Sequence, residues 1–447
     1  ALALLFVSGG QSVYGYSTNQ SASTVIGQPN MTSSAINQGY GPVANSQYYP
    51  VRVHCRDNRL YFSDGSNHRI LIYTTIPGTN NAPCEVVVGQ ANSYSAVAAC
   101  AANRLNTPFS ACTNGAKLII ADRNNNRVLI YNTIPTVNNA NADVVIGQPD
   151  MVSNAANQGG GVGANTLHSP EDVYTDGTKL FIADRDNHRV LIFNTIPTAN
   201  NTSANVVVGQ ANMTSNSINQ GGPNPGSNTL NAPAGVRVTA SKLFVADCFN
   251  HRVLIFDPVP TANNASAAVV IGQANFTSGA INQGGSVAAN TLQAPTCLTS
   301  DGTRLLLADS DNQRVLIFQT IPSLNNASAD EVLGQPDMTS NGWNQGGGPA
   351  ANTLCFPKGI DLGEDLLVVA DNNNHRTLIY HDDSVAAEVY RSVGPSRTSA
   401  LATGGSNALN IVAGTATFAG ALPNDVGVGD VIQYDSNNDG SVDALAS

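Results

Sequence analysis

The segment Leu180-Phe-Ile-Ala-Asp-Arg-Asp-Asn-His-Arg-Val-Leu-Ile-Phe193 recurs at Leu60–Tyr73, Leu118–Tyr131, Leu243–Phe256, Leu305–Phe318 and Leu367–Tyr380. Its aspartates, Asp64, Asp122, Asp184, Asp247, Asp309 and Asp371, lie 58, 62, 63, 62 and 62 residues apart. Five positions after each comes an arginine: Arg69, Arg127, Arg189, Arg252, Arg314 and Arg376. A fixed period of this length means a supersecondary unit that buries its apolar faces only against neighbouring copies. Each copy reads as two short strands rich in β-branched and aromatic residues. They flank an Asp-x-x-Asn turn, whose residues tolerate turn dihedrals. A Pro-led run upstream, such as Ser169-Pro-Glu-Asp-Val-Tyr174, supplies an inner strand, and Ala204-Asn-Val-Val-Val-Gly209 an outer one. Four antiparallel strands per repeat, arranged radially, predict an all-β β-propeller.

A worn copy at Leu5–Tyr16 carries Gly9 and Ser12 in place of the aspartate and arginine. Counting it predicts seven blades, the first without an inner strand; six full blades is the alternative. The propeller is expected over 1–393, with residues 382–393 giving the last outer strand and Leu409–Ala413 closing the ring in blade one. Residues 394–447 read as a linker and a short C-terminal β extension. There Asp435, Asn437, Asp439, Ser441 and Asp443 alternate around a sharp turn at Gly440, an oxygen-rich pattern that suits calcium. Ala446 stands where an EF-hand wants Glu, so the segment is either a calcium loop or a polar turn. No organic cofactor is expected.

The Leu-x-x-Ala-Asp-x-x-Asn-His-Arg-Val pattern resembles the NHL repeat, a propeller family, over most of residues 1–380, and within it extracellular bacterial-type proteins with Gly-Gln-Pro-Asp loops. The Asp435–Asp443 loop is similar to thrombospondin type-3 and EF-hand calcium loops. The NHL resemblance implies a propeller but not one function, since the family includes protein-binding, RNA-binding and lyase members. A lyase would use unique histidines near the channel; His54 and His168 lie near inner strands of different blades, His381 lies elsewhere, and no third ligand is evident.

A feature repeated in every blade serves the blade, so the Asp–Arg pairs read as structural ion pairs. The turn histidines, His68, His188, His251 and His375, share their slot with Asn126 and Gln313, so an amide replaces the imidazole there. Charged residues make up only 11% of the chain, the net charge is −11 and there are four lysines, which argues against nucleic acid as a partner. The apolar run at the start is seven residues long, far short of the roughly 20 of a membrane span.

Seven cysteines occur without a CxxC pattern. Cys55 and Cys112 fall on neighbouring inner strands, and Cys84 and Cys100 flank one loop, so these are the candidate pairings in an exported protein. Of eight Asn-x-Ser/Thr sequons, those at Asn30, Asn212 and Asn275 are the candidate glycosylation sites. Against this, Asp150 and Asp337 fill the same loop slot, as a turn-capping role permits. Low lysine, cysteines and sequons favour an extracellular or cell-surface address.

Long loops from Gly27, Gly147, Gly209, Gly272 and Gly334 join each outer strand to the next inner strand, on the face that carries the Asp-x-x-Asn turns. They either bind partners or pack as covers over the blades. The sole tryptophan, Trp343, stands where sister loops have Ala156, Ile218 or Ile281, which makes it the candidate ligand contact. The expected function is a non-enzymatic extracellular scaffold or binding propeller. Its expected partner is protein, glycan or copies of itself, including a surface array or filament built through exposed terminal strands. A metal-dependent lyase is the alternative.

Overall fold

The computed structural model describes residues 15–382 except 240 and 364, and the strands 409–412, 415–418, 432–434 and 444–446. It divides into two compact units, Ser17–Tyr380 and a second formed by Ala1–Tyr16 with His381–Ser447.

Six four-stranded antiparallel sheets make a propeller. The third blade shows the plan: Pro170–Thr175, Leu180–Asp184, Arg189–Phe193 and Val206–Val208, innermost to outermost. The inner strands contact one another all the way round, including the first, Pro50–Arg56, against the last, Pro357–Leu362. The apolar core lies between blades. Leu180 and Ile182 pack towards blade two, whereas Phe181 and Ala183 pack towards blade four. Burial on both faces explains why these strands read as unbroken apolar runs rather than alternating ones.

The blade number is six, not seven. The sixth blade, Pro357–Leu362, Leu366–Asp371 and Arg376–His381, takes its outer strand from the start of the chain, Thr24–Ile26. Thr24, Val25 and Ile26 pair with Ile379, Leu378 and Thr377. That edge is therefore not available to residues 382–393. Nor does Leu409–Val412 enter blade one; it pairs with Thr415–Phe418. The worn copy at Leu5–Tyr16 falls mostly outside the described residues. Thr24–Ile26 is thus the outermost strand of blade six, paired on one side with Arg376–His381.

Successive blades are clasped on the face opposite the long loops. The Ile-Pro-x-x-Asn-Asn connection of each blade reaches back to its predecessor's outer strand. Asn200 Oδ1 accepts from Val145 N at 3.0 Å, and Asn201 N donates to Val145 O at 2.9 Å. Thr18 and Asn19 clasp Val332 of blade five in the same way, so closure uses both a strand and a clasp from the start of the chain.

Candidate binding site: the channel and the loop-bearing face

All six Asp–Arg pairs are buried, with Nε–Oδ2 distances of 2.7–2.8 Å. In blade three Arg189 donates Nε to Asp184, Nη1 to Met213 O at 2.6 Å, and Nη2 to Gly163 O and Thr166 O at 2.9 Å each. Asp184 also accepts His168 N and Asn187 Nδ2. Gly163 and Thr166 lie in the loop before the blade and Met213 in the loop after it. One guanidinium therefore ties both loops to the hairpin. The loops are pinned again by their Gly-Gln start. Gly147 has φ +87°, and a Cβ there would meet Leu167 Cδ1 at 2.5 Å, so only glycine fits.

The turn slot has one job in every blade. His68, His188, His251 and His375 accept, through Nδ1, the backbone N–H of Thr107, Ala232, Ala294 and Tyr49. Asn126 and Gln313 accept from Ser169 and Phe356 through an amide oxygen. Each donor precedes an inner-strand proline and has positive φ, so the bond holds an unfavourable backbone turn in place. An acceptor Nδ1 requires neutral imidazole. Burial accordingly pushes the histidines below their ordinary 6.5, His375 to about 4. Protons then bind the unfolded chain more readily, so this contribution is intact above about pH 6.5 and is lost as pH falls towards 4. We expect the urea midpoint to drop over that window and His375→Gln to flatten the drop. An unchanged slope in the variant argues against this origin.

Inside the ring the blades stop resembling each other. The residue after each inner-strand proline is Val51, Phe109, Glu171, Ala234, Thr296 or Lys358, at the mouth on the loop-bearing face. The next column is Arg52, Ser110, Asp172, Gly235, Cys297 and Gly359, and two further on come His54, Cys112, Tyr174, Arg237, Thr299 and Asp361. Arg52, 2% exposed, lies across the axis. Its Nη2 donates to Ala234 O at 2.8 Å and Thr296 O at 2.6 Å, its Nη1 to Lys358 O, and its Nε stands 3.9 Å from Asp172. Gly235 and Gly359 permit this closeness, because a Cβ on either would meet neighbouring backbone at 2.5–2.6 Å. The channel is thus plugged at mid-height.

Below the plug, Asp361 accepts from Arg237 at 2.7 Å, His54 Nδ1 at 2.9 Å and Thr299 at 2.8 Å. Burial opposes its ionisation, but Arg237 and His54 hold it well below the usual carboxylate range. Burial pushes the Cys112 and Cys297 thiols up, which leaves them poor nucleophiles. His168 sits apart, 3.8 Å from Asp186. Among the described residues no group of three or more His, Cys, Asp or Glu side chains is placed to hold a metal. Comparing inner strands column by column was the signal for this cluster: non-identity at equivalent positions, in a chain otherwise repeated, marks what is made once.

Cys84, Cys100 and Cys112 are free thiols, so neither expected disulfide forms, and cysteine pairing lends no support to an exported protein. Asn30, Asn212 and Asn275 are exposed, and each Oδ1 accepts from residues two and three positions on, as do Asp150 and Asp337. The candidate calcium residues Asp435, Asn437, Asp439, Ser441 and Asp443 lie outside the described residues. Trp343 is 63% exposed at the start of the tight turn Trp343–Gly346, 6.0 Å from the Phe356 ring. Among the described residues no helix is long and apolar enough to cross a membrane.

The fold defines the class: a six-bladed β-propeller built from one repeat. No family model matches the chain, and no curated protein matches it. Among solved structures it is similar to the computationally designed Ika8 protein, at 5% identity and a TM-score of 0.37, covering 81% of this chain and 100% of that one.

Proposed function

We propose that this chain is a non-enzymatic binding propeller that engages a protein or glycan through its loop-bearing face. One observation carries this reading. Of twelve large apolar side chains exposed among the described residues, only Val137 and Leu324 belong to the clasp face; Ile36, Tyr40, Tyr49, Tyr94, Val97, Val152, Ile218, Phe249, Ile281 and Trp343 share the loop-bearing face. Apolar and aromatic exposure gathered on one side of a soluble scaffold marks an interaction surface. The NHL-like repeat, the scarcity of lysine and the exposed sequon asparagines favour an extracellular setting, with further copies of the chain among the partners such a face accepts.

Trp343 is the chain's only tryptophan and serves as the reporter. Candidate extracellular proteins and glycans added to the native protein should shift and shield its emission. Trp343→Ala with Ile281→Ser should weaken binding about tenfold or more, read by calorimetry. Val137→Ser with Leu324→Ser should leave it unchanged. Binding that survives the first pair and fails in the second moves the interface to the other face.

A further inference from the structure

Above the Arg52 plug, a cavity of about 380 Å³ opens at the channel mouth, lined by Tyr49, Val51, Ser66, Thr107, Phe109, Arg123, Lys358 and the Asn372–Asn373 turn. Two cations share one ring there. The Arg123 guanidinium stands 4.6 Å from the Phe109 centroid and the Lys358 ammonium 6.0 Å from it. Neither makes an ion pair with a carboxylate among the described residues. The Arg123 side chain makes one long hydrogen bond, 3.3 Å to Asn124, and its Nε is buried without an acceptor. Of the nearby acids, Glu171 pairs with Arg185 at 2.8 Å and Asp172 accepts from Ser110 at 2.6 Å and from the backbone of Val236 at 2.8 Å, while Asp311, pushed up chiefly by burial, feels the Lys358 charge without forming an ion pair with it. Burial pushes Lys358 below its ordinary range; Glu171 opposes that shift, and Arg52 and Arg123 add to it. Neighbouring cations held over an aromatic face without a directly paired carboxylate form a site that an anion completes.

We propose that this mouth binds a small acidic sugar, its carboxylate between Lys358 and Arg123 and its hydroxyl-bearing ring against the amide and hydroxyl groups of Ser66, Thr107 and Asn373. The cavity is at the small end of ligand sites, which run from about 300 to 1,000 Å³, and so suits a single sugar residue rather than a polymer segment. Aromatic walls at Tyr49 and Phe109 with amides between them match a ring that has both apolar and hydroxyl faces. The site shares Tyr49 with the exposed apolar face but none of the residues substituted to test that face, so either can fail without the other.

The test is calorimetry of the full chain with sodium glucuronate, glucose and sodium sulfate. Glucuronate should bind one to one, and glucose at least about tenfold more weakly. Lys358→Gln and Arg123→Gln should each weaken glucuronate about tenfold or more, while Lys358→Arg keeps it within a few-fold. Trp343→Ala should have no effect. Thermal unfolding of each variant separates lost binding from lost fold, and Lys358→Arg preserves the charge if Lys358→Gln unfolds. The proposal falls if glucuronate does not bind, if glucose binds as tightly, if sulfate alone binds, or if folded Gln variants bind like the parent.

Discussion

Replacing Arg189 by Met should destabilise the propeller by about 3–5 kcal/mol, the range for breaking a buried ion pair on one side. Asp184 has no exposure and would keep only His168 N and Asn187 Nδ2 as donors. The carbonyls of Thr166 and Met213 would lose their donor as well, and Gly163 O would keep only those of Thr166, so two loops come loose with one side chain. Arg56, paired with Asp57 at 3.5 Å in an exposed setting, is the control; Arg56→Met should cost at most about 1 kcal/mol. Urea midpoints with unchanged slopes read both values. Equal losses would mean that the buried pairs are ornaments on a fold held by its apolar core. The energetic reasoning concerns the broken pair. Removing Asp184 as well, with an apolar replacement, recovers part of the loss, but the carbonyls of Thr166 and Met213 stay stranded and recovery stays incomplete.

The hairpins were legible because their cause is local: apolar runs on both sides of a turn, with an acid and a base at fixed spacing. The blade number was not. Thr24-Val-Ile is a three-residue apolar run like every other outer strand, and nothing in it says that its partner is Arg376–His381 at the far end of the propeller. Counting the worn copy at Leu5–Tyr16 as a blade of its own turns six into seven. The Thr18–Asn19 clasp differs from the Asn-Asn pair of the other clasps, which hid its equivalence. The channel was harder still. Arg52 is held by the main-chain carbonyls of Ala234, Thr296 and Lys358, groups every residue possesses and no motif records. Lys358 and Arg123 come from the inner strand of blade six and the turn of blade two, and meet only because the ring closes.

Closure itself supplies the second large effect. Deleting residues through Ile26 should leave Arg376–His381 as an unpaired edge and release Val332 of blade five from its clasp. Val25 and Ile26 have no exposure in the intact ring, so their loss also uncovers apolar surface of both neighbouring blades. An open edge of this kind pairs with another chain. The truncated protein should therefore elute as dimers or larger species, and the amides of blade six, Thr377 and Ile379 among them, should lose hydrogen-exchange protection by several orders of magnitude as local opening falls well below the global stability. Deleting Leu409–Val412 should leave both readings at the parental value, because the ring is already closed by Thr24–Ile26. The reverse pattern, with the early strand dispensable and the late one essential, would return closure to the end of the chain. A synthetic peptide spanning residues 17–28 sharpens the experiment. Added to the truncated protein, it offers the missing strand without tethering, and it should restore monomers and protection in proportion to occupancy. Repair by the peptide would locate the defect at the seam between blades six and one rather than in the folding of either blade.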